Sequence, residues 1–265
     1  MTRQLQPVPE FSVEHFEPIY ANVQQTWQNP DRAQLYHKMA GTLLKPNVNF
    51  GLFVQEQMQE HIGDGGLCAI AFTHGSVLDP LHIAAMAQRN QVFEPLIGKT
   101  MIGAKAGLFT APIVKTIVPD LGAVPVWRHK DVIDEDRQSQ EEQQRLREIR
   151  KQAGRAFIQT QIAGINTGHH MAMHVEGTRN KDKPMQIQQV QAGFGEVVAG
   201  VDQNVKVLIM TAAFYYGTGK NKTKRKPTMF VDIPVNQGRS EPEEVRRTIT
   251  PSLQTTLDQA IALHA

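Results

Sequence analysis

A histidine and an aspartate five positions apart, in the stretch Thr73-His-Gly-Ser-Val-Leu-Asp79, are the residues best suited to chemistry in this chain. An imidazole hydrogen-bonded to a carboxylate has its tautomer fixed and its protonated form stabilised, so its other nitrogen can take a proton from a hydroxyl. No serine or cysteine nucleophile is needed if that hydroxyl belongs to the substrate. Five residues of ideal helix put His74 and Asp79 roughly 140° apart, on no common face. Contact therefore requires His74 in a loop, Asp79 in the first helical turn, and a loop that folds back. Gly75 and Ser76 are small enough for such a fold, and Pro80 suits an early helical position. The chain has 10 histidines, so this spacing alone carries little weight.

The elements around the pair indicate how it is held. Leu67-Cys-Ala-Ile-Ala-Phe72 is a short apolar run behind Gly65-Gly66, the pattern of a buried parallel strand, with Cys68 as plain core. Pro80 to Ala87 reads as a helix. Strands are expected at Phe93–Ile97, Gly122–Trp127, Met171–Val175, Val205–Met210 and Thr228–Ile233. Helical stretches lie between most of them, the longest over Asp134–Ile162 with apolar Leu146, Ile149, Ala153 and Phe157. Alternation of this kind predicts an α/β fold, a central largely parallel, mixed sheet flanked by helices. Ligands in such folds bind at the carboxyl ends of the strands, where His74 would sit.

Residues 11–62 read as helical, in three stripes: Phe16, Tyr20, Val23 and Trp27, then Tyr36, Met39 and Leu43, then Phe50, Phe53, Val54 and Met58. This predicts an N-terminal helical segment, 1–62, packed on an α/β domain, 63–265, with part of its surface also suited to a membrane interface. A last helix is expected behind Ser240 as N-cap with Glu243 three residues on, interrupted or restarted at Pro251.

Composition narrows the function. The net charge is +2 over 265 residues, without the basic excess of a dedicated nucleic-acid binder. A single cysteine excludes an intrachain disulfide and fits a reducing compartment. The N-terminus lacks the apolar core of a secretory signal, and no apolar run reaches the ~18 residues of a bilayer-spanning helix. The expected location is cytoplasmic, with peripheral contact on the inner face of a membrane.

His169, His170 and His174 invite a metal reading, but no His-Glu-x-x-His and no cysteine partner accompany them, and core or loop histidines fit better. The run Gly217-Thr-Gly-Lys-Asn-Lys-Thr-Lys-Arg-Lys226 lacks P-loop spacing and reads as a solvated hairpin loop. Its charge suits anionic headgroups or an acidic acyl-carrier protein.

Four further blocks give the pair its company. The histidine-aspartate stretch, with Ser76 inside it, resembles the His-x-x-x-x-Asp motif of the glycerolipid acyltransferases, the lysophosphatidic acid acyltransferase family. Gly103-Ala-Lys-Ala-Gly-Leu-Phe109 with Pro112 resembles the family's Ala-Lys … Leu-Phe … Pro segment. Leu121-Gly-Ala-Val-Pro-Val-Trp-Arg128 resembles its Gly-x-(apolar)-x-(apolar)-x-Arg block. His174-Val-Glu-Gly-Thr-Arg-Asn180, the most specific match, resembles Phe-Pro-Glu-Gly-Thr-Arg-Ser. Thr228-Met-Phe-Val-Asp-Ile-Pro-Val235 fits the late strand ending in Pro-Ile or Pro-Val. The likeness spans roughly residues 65–260. Departures are Thr73 for Asn, Val175 for Pro, Gln191 for Lys, and Val207-Leu-Ile-Met210 without Pro-Val.

The resemblance implies transfer of a fatty acyl group from an acyl thioester, acyl-CoA or acyl-carrier protein, to the hydroxyl of lysophosphatidic acid. Glycerol 3-phosphate is the alternative acceptor, and a catalytically silent lipid-binding relative the alternative of another class. His74 would be the general base and Asp79 its orienting partner. Lys105, Arg128, Glu176, Gly177, Thr178 and Arg179 would surround the acceptor's phosphate and glycerol. Arg128 and Arg179 can fork onto a phosphate, and Lys105 acts as a point charge. Backbone amides near the start of the Pro80 helix are candidates for the oxyanion. No metal or bound cofactor is required by this chemistry.

Overall fold

A computed structural model describes residues 11–26, 30–76, 78–112, 114–127, 139–177, 183, 185–217 and 226–264. Among these, seven strands form one sheet in the order β1-β7-β6-β2-β5-β3-β4. They are β1 (Asn47–Phe50), β2 (Leu67–Phe72), β3 (Thr100–Lys105), β4 (Ala123–Val126), β5 (His170–His174), β6 (Val207–Tyr215) and β7 (Thr228–Asp232). All neighbours run parallel except β6 and β7, which pair antiparallel, so the fold is α/β around a mostly parallel mixed sheet.

Strand β2 lies between β5 and β6. All six of its residues are buried, because helices cover both faces of the sheet. Alternation divides them: Leu67, Ala69 and Ala71 enter one core cluster, and Cys68, Ile70 and Phe72 the other. The first cluster is completed by α1 (Phe16–Thr26), α6 (Gln140–Asn166), α7 (Ala192–Gly200) and α8 (Pro242–Ala262). On the other face lie α3 (Val54–Gly63) and α4 (Asp79–Arg89). The remaining helices are α2 (Pro30–Leu43) and the short α5 (Val114–Ile117).

Of the first N-terminal stripe, Phe16, Tyr20 and Val23 pack into the core, and Trp27 lies outside the described residues. The Tyr20 hydroxyl bridges the sheet and α6, donating to Pro125 O at 2.9 Å and to Ala153 O at 3.3 Å. The second stripe is not the buried one. Helix α2 buries Ala33, His37 and Ala40, with Leu44 just beyond its end, leaving Leu35, Met39 and Leu43 exposed. Small residues win because α2 and α4 pack closely: Ala40 meets Ala84 and Ala85, and a Cβ on Gly41 would come within 2.9 Å of Gln88. The helical reading of 11–62 is also broken at 47–50, where β1 forms a sheet edge against β7.

Other differences have local causes. Phe93–Ile97, expected as a strand, belongs to a 3₁₀ helix over Gln91–Leu96. Pro95 has no N–H for a ladder, and Val92, Phe93 and Leu96 are buried at helical spacing. Strand β3 has no apolar run to show it, since Thr100, Gly103 and Lys105 interrupt its pattern. Helix α8 starts one residue later than expected, with Glu241 at the cap, and Ser240 Oγ bonds to Glu244 Oε2 at 2.7 Å. It runs unbroken through Pro251, since Ile249, Leu253, Leu257 and Ala260 are held in the core on both sides of the proline. Ser139 caps α6, its hydroxyl accepting from Glu142 N. The region 128–138 before it lies outside the described residues, as does 218–225 between β6 and β7.

Candidate active site

Strand β2 delivers the chain to the carboxyl edge of the sheet, and Thr73 N still bonds to Ala212 O there. The next residues turn back, and α4 begins at Asp79 with Pro80 in its first turn. The loop-and-first-turn arrangement that the spacing demands is the one present. His74 Nδ1 lies 2.8 Å from Asp79 Oδ2. The Asp79 side chain is fully buried while that of His74 is 19% exposed, so the pair opens to solvent on the histidine side.

Asp79 is the anchor. Oδ2 also accepts from Gly75 N at 2.9 Å and Ser76 N at 3.0 Å, and Oδ1 accepts from the Tyr216 hydroxyl. Burial by itself would push the carboxyl up. Hydrogen bonds from His74, Tyr216 and the Ser76 amide, with the charge interaction with His174, hold it below the ordinary aspartate value. An ionised Asp79 accepts from Nδ1–H, which leaves His74 Nε2 as the basic nitrogen. Since the Gly75 and Ser76 amides face Asp79, and Leu78 N bonds to Ser76 Oγ, these three donors are committed to the loop.

Glu176, 4% exposed, fastens this loop to its neighbour: Oε2 accepts from His74 N at 3.0 Å and Oε1 from Gln188 N at 2.7 Å. Burial raises its pKa against the pull of these amides. Both oxygens are thus engaged with backbone where the sequence suggests a contact to substrate. Gly177 follows at φ +67°, a conformation that favours glycine, and a Cβ there would lie 3.3 Å from Gln191.

His174, at the end of β5, stacks on His74 with centroids 4.4 Å apart and 29° between planes. Its Nδ1 lies 2.9 Å from Thr73 O, and its Nε2 is buried with no hydrogen-bond partner among the described residues. Burial first, then the neighbouring His74, lower its pKa to about 4.

A cleft of about 770 Å³ opens at this edge, lined by His74, Lys105, His174, Glu176 and Gly177. Lys105 at the end of β3 therefore lines the same cleft as His74. Arg128, Thr178 and Arg179 lie outside the described residues. A smaller apolar cavity of about 80 Å³, lined among others by Ile70, Phe72, Ile83 and Leu108, shares Gly103 and Ala104 with the cleft.

Of the three histidines with apparent metal spacing, His170 starts β5, where its Nδ1 accepts from Cys68 N at 3.0 Å, and only His174 reaches the site. The metal-capable group among the described residues is His74, Asp79 and His174, with ligand atoms within 4.8 Å. Its carboxylate already accepts from four donors.

Tyr216, Lys151 and Arg155 were missed in the sequence. The last strand before Tyr216 was read as ending at Met210, although Thr211 to Tyr215 continue it. Reading it to its end would have brought Tyr216 to the carboxyl edge. Lys151 and Arg155 line the cleft from α6, where they look like ordinary solvated charges.

The sequence model of one protein family, described as Acyltransferase, matches residues 53–215, more than half of the chain. No curated protein matches the chain significantly.

Proposed function

Because the chain belongs to the acyltransferase family, we propose that it moves a fatty acyl group from acyl-CoA or acyl-carrier protein to the free hydroxyl of lysophosphatidic acid. The observation that carries this reading is the 2.8 Å contact between His74 Nδ1 and a buried carboxylate, with the other ring nitrogen left as a base at the cleft.

The acceptor hydroxyl gives its proton to His74 Nε2 as its oxygen attacks the thioester carbonyl carbon. Asp79 steadies the imidazolium that results. Collapse of the tetrahedral adduct breaks the carbon–sulfur bond, and the thiolate leaves with the proton that His74 held. Lys105, on a strand nearer to β2 than β4 is, is suited to the acceptor's phosphate, together with Arg179. The apolar cavity beside Gly103 and Ala104 suits part of the acyl chain. No metal or bound cofactor enters this scheme.

No helix among the described residues is long and apolar enough to cross a membrane. The exposed stripe Leu35, Met39 and Leu43 on α2 supports contact with a membrane surface instead, where a lysophospholipid would be presented.

The test is a screen of acceptors against one long-chain acyl-CoA, for the native chain and His74→Ala. The native chain should acylate lysophosphatidic acid in preference to glycerol 3-phosphate, and the variant should lose about 10³-fold or more in rate, as expected for a removed general base and its oriented partner. Undiminished transfer by His74→Ala would refute the mechanism. A preference for glycerol 3-phosphate would refute the acceptor.

A further inference from the structure

The cleft extends beyond the catalytic pair to a wall that a glycerophosphate acceptor does not need. Lys151, Gly154, Arg155 and Ile158 of α6 line it. Lys151 and Arg155 are four residues apart, on one helix face, and both are exposed. Neither has a hydrogen-bond or ion-pair partner among the described residues, whereas Arg145 on the same helix pairs with Glu14 at 3.0 Å. Gly154 between them leaves the helix backbone open, since a Cβ there would meet nothing within 4 Å. The acidic residues of the cleft are Glu176, already held by two amides, and Glu196 on α7. Lys105, Lys151 and Arg155 therefore set a positive potential that draws anions.

Position decides which anion. The Tyr20 bridge to Pro125 O and Ala153 O seats residues 151–155 against β4. From β2, which leads to His74, the order to β4 passes β5 and β3. At ~4.8 Å per strand the separation is roughly 14 Å. A glycerophosphate spans only about 5 Å from hydroxyl to phosphorus, over about four bonds of ~1.5 Å. With its hydroxyl at His74 it falls short of α6. The donor does not: its phosphopantetheine arm runs about a dozen bonds from sulfur to phosphorus, ~15 Å when extended.

We propose that Lys151 and Arg155 seat the phosphate of the acyl donor, the 4′-phosphate that the pantetheine arms of acyl-CoA and acyl-carrier protein share. This rests on the acyl-transfer reading, and it gives the cleft two anion sites, one for each substrate.

Calorimetric titration of the full chain with free CoA tests the seat without turnover. For Lys151→Ala/Arg155→Ala the CoA Kd should rise about tenfold or more, as expected for lost charge-assisted contacts. Circular dichroism checks that the variant is folded, and Lys151→Arg/Arg155→Lys should restore most of the binding. In steady-state assays, kcat/KM for acyl-CoA should fall by a similar factor relative to the phosphate-free acyl-N-acetylcysteamine thioester. A parallel loss with acyl-carrier protein identifies the 4′-phosphate. A loss confined to acyl-CoA assigns the cations to its nucleotide and overturns the proposal, as does an unchanged Kd or an equal loss with the N-acetylcysteamine donor. Should the native chain transfer acyl groups to no acceptor, the acyl-transfer reading falls while the titration still decides the seat.

Discussion

At the scale of single residues, the ring beneath His74 is what the sequence hides. His174 stands where the resembled block has phenylalanine, and it stacks on His74 at 4.4 Å. Its tautomer follows from its partner. The Thr73 carbonyl can only accept, so Nδ1 carries the proton and Nε2 is bare. With a pKa lowered to about 4 by burial and by His74, the ring is neutral near pH 7. A neutral aromatic face adds no repulsion when His74 becomes an imidazolium and attracts the cation by about 1 kcal/mol. His174→Phe should therefore keep most of the rate, because the stack survives. His174→Ala should lower kcat about fivefold with little change in either KM, on the conversion of ~1.4 kcal/mol per tenfold. Steady-state kinetics beside a thermal unfolding curve separates this from simple loss of fold. A kcat for the alanine variant within about twofold of the native value would show that the stack contributes nothing to the step. Spacing announced His74 and Asp79 because their contact is local. Tyr216 and His174 reach the pair only through the pairing of β2 with β6 and β5, a long-range fact with no local signature.

Among the elements, those with a two-sided apolar pattern were legible and those set by partners were not. Strand β2 shows an unbroken apolar run because both faces are covered. Strands β1 and β3 are interrupted by Asn or Gly, so their ladder partners rather than their own residues define them. Helix α2 is the instructive case. Its larger apolar residues suggested the buried stripe, yet close packing on α4 selects Ala33, Ala40 and Leu44 and turns Leu35, Met39 and Leu43 outward, at 56%, 51% and 70% exposure. Residues at i, i+4 and i+8 form a continuous ridge, the form an interfacial helix takes when it lies on a bilayer. Replacing all three by serine should leave the fold intact and lower the partition coefficient onto phosphatidylglycerol-containing vesicles, read by flotation, about a hundredfold or more, since each large side chain withdrawn from lipid forfeits on the order of 1–2 kcal/mol. Equal recovery of the two proteins would remove α2 from the membrane-contact proposal.

For the molecule as a whole, two histidines buried at opposite ends of β5 tie folding to pH. His170 and His174 are held neutral inside the sheet, each with its pKa lowered to about 4 chiefly by burial. In the unfolded chain both return to about 6.5. Between these values the unfolded state binds more protons, so stability must fall as the solution is acidified through that window. By pH 5 each group costs roughly 2 kcal/mol at 1.36 kcal/mol per pH unit, against a total stability of about 5–15 kcal/mol for a typical domain. Asp79 adds its own loss only further down, because its carboxyl is held below the ordinary value and protonates last. The urea midpoint should therefore drop markedly from pH 7 to pH 5. His170 also offers a way to remove one group alone, since its Nδ1 only accepts from Cys68 N and lies away from His74 and Asp79. Asparagine can offer a carbonyl oxygen in that place without titrating. His170→Asn should flatten the pH dependence by about one group, or ~2 kcal/mol between pH 7 and pH 5, whatever it does to the midpoint at pH 7. A pH dependence that His170→Asn leaves unchanged would show that His170 is not held neutral by the fold.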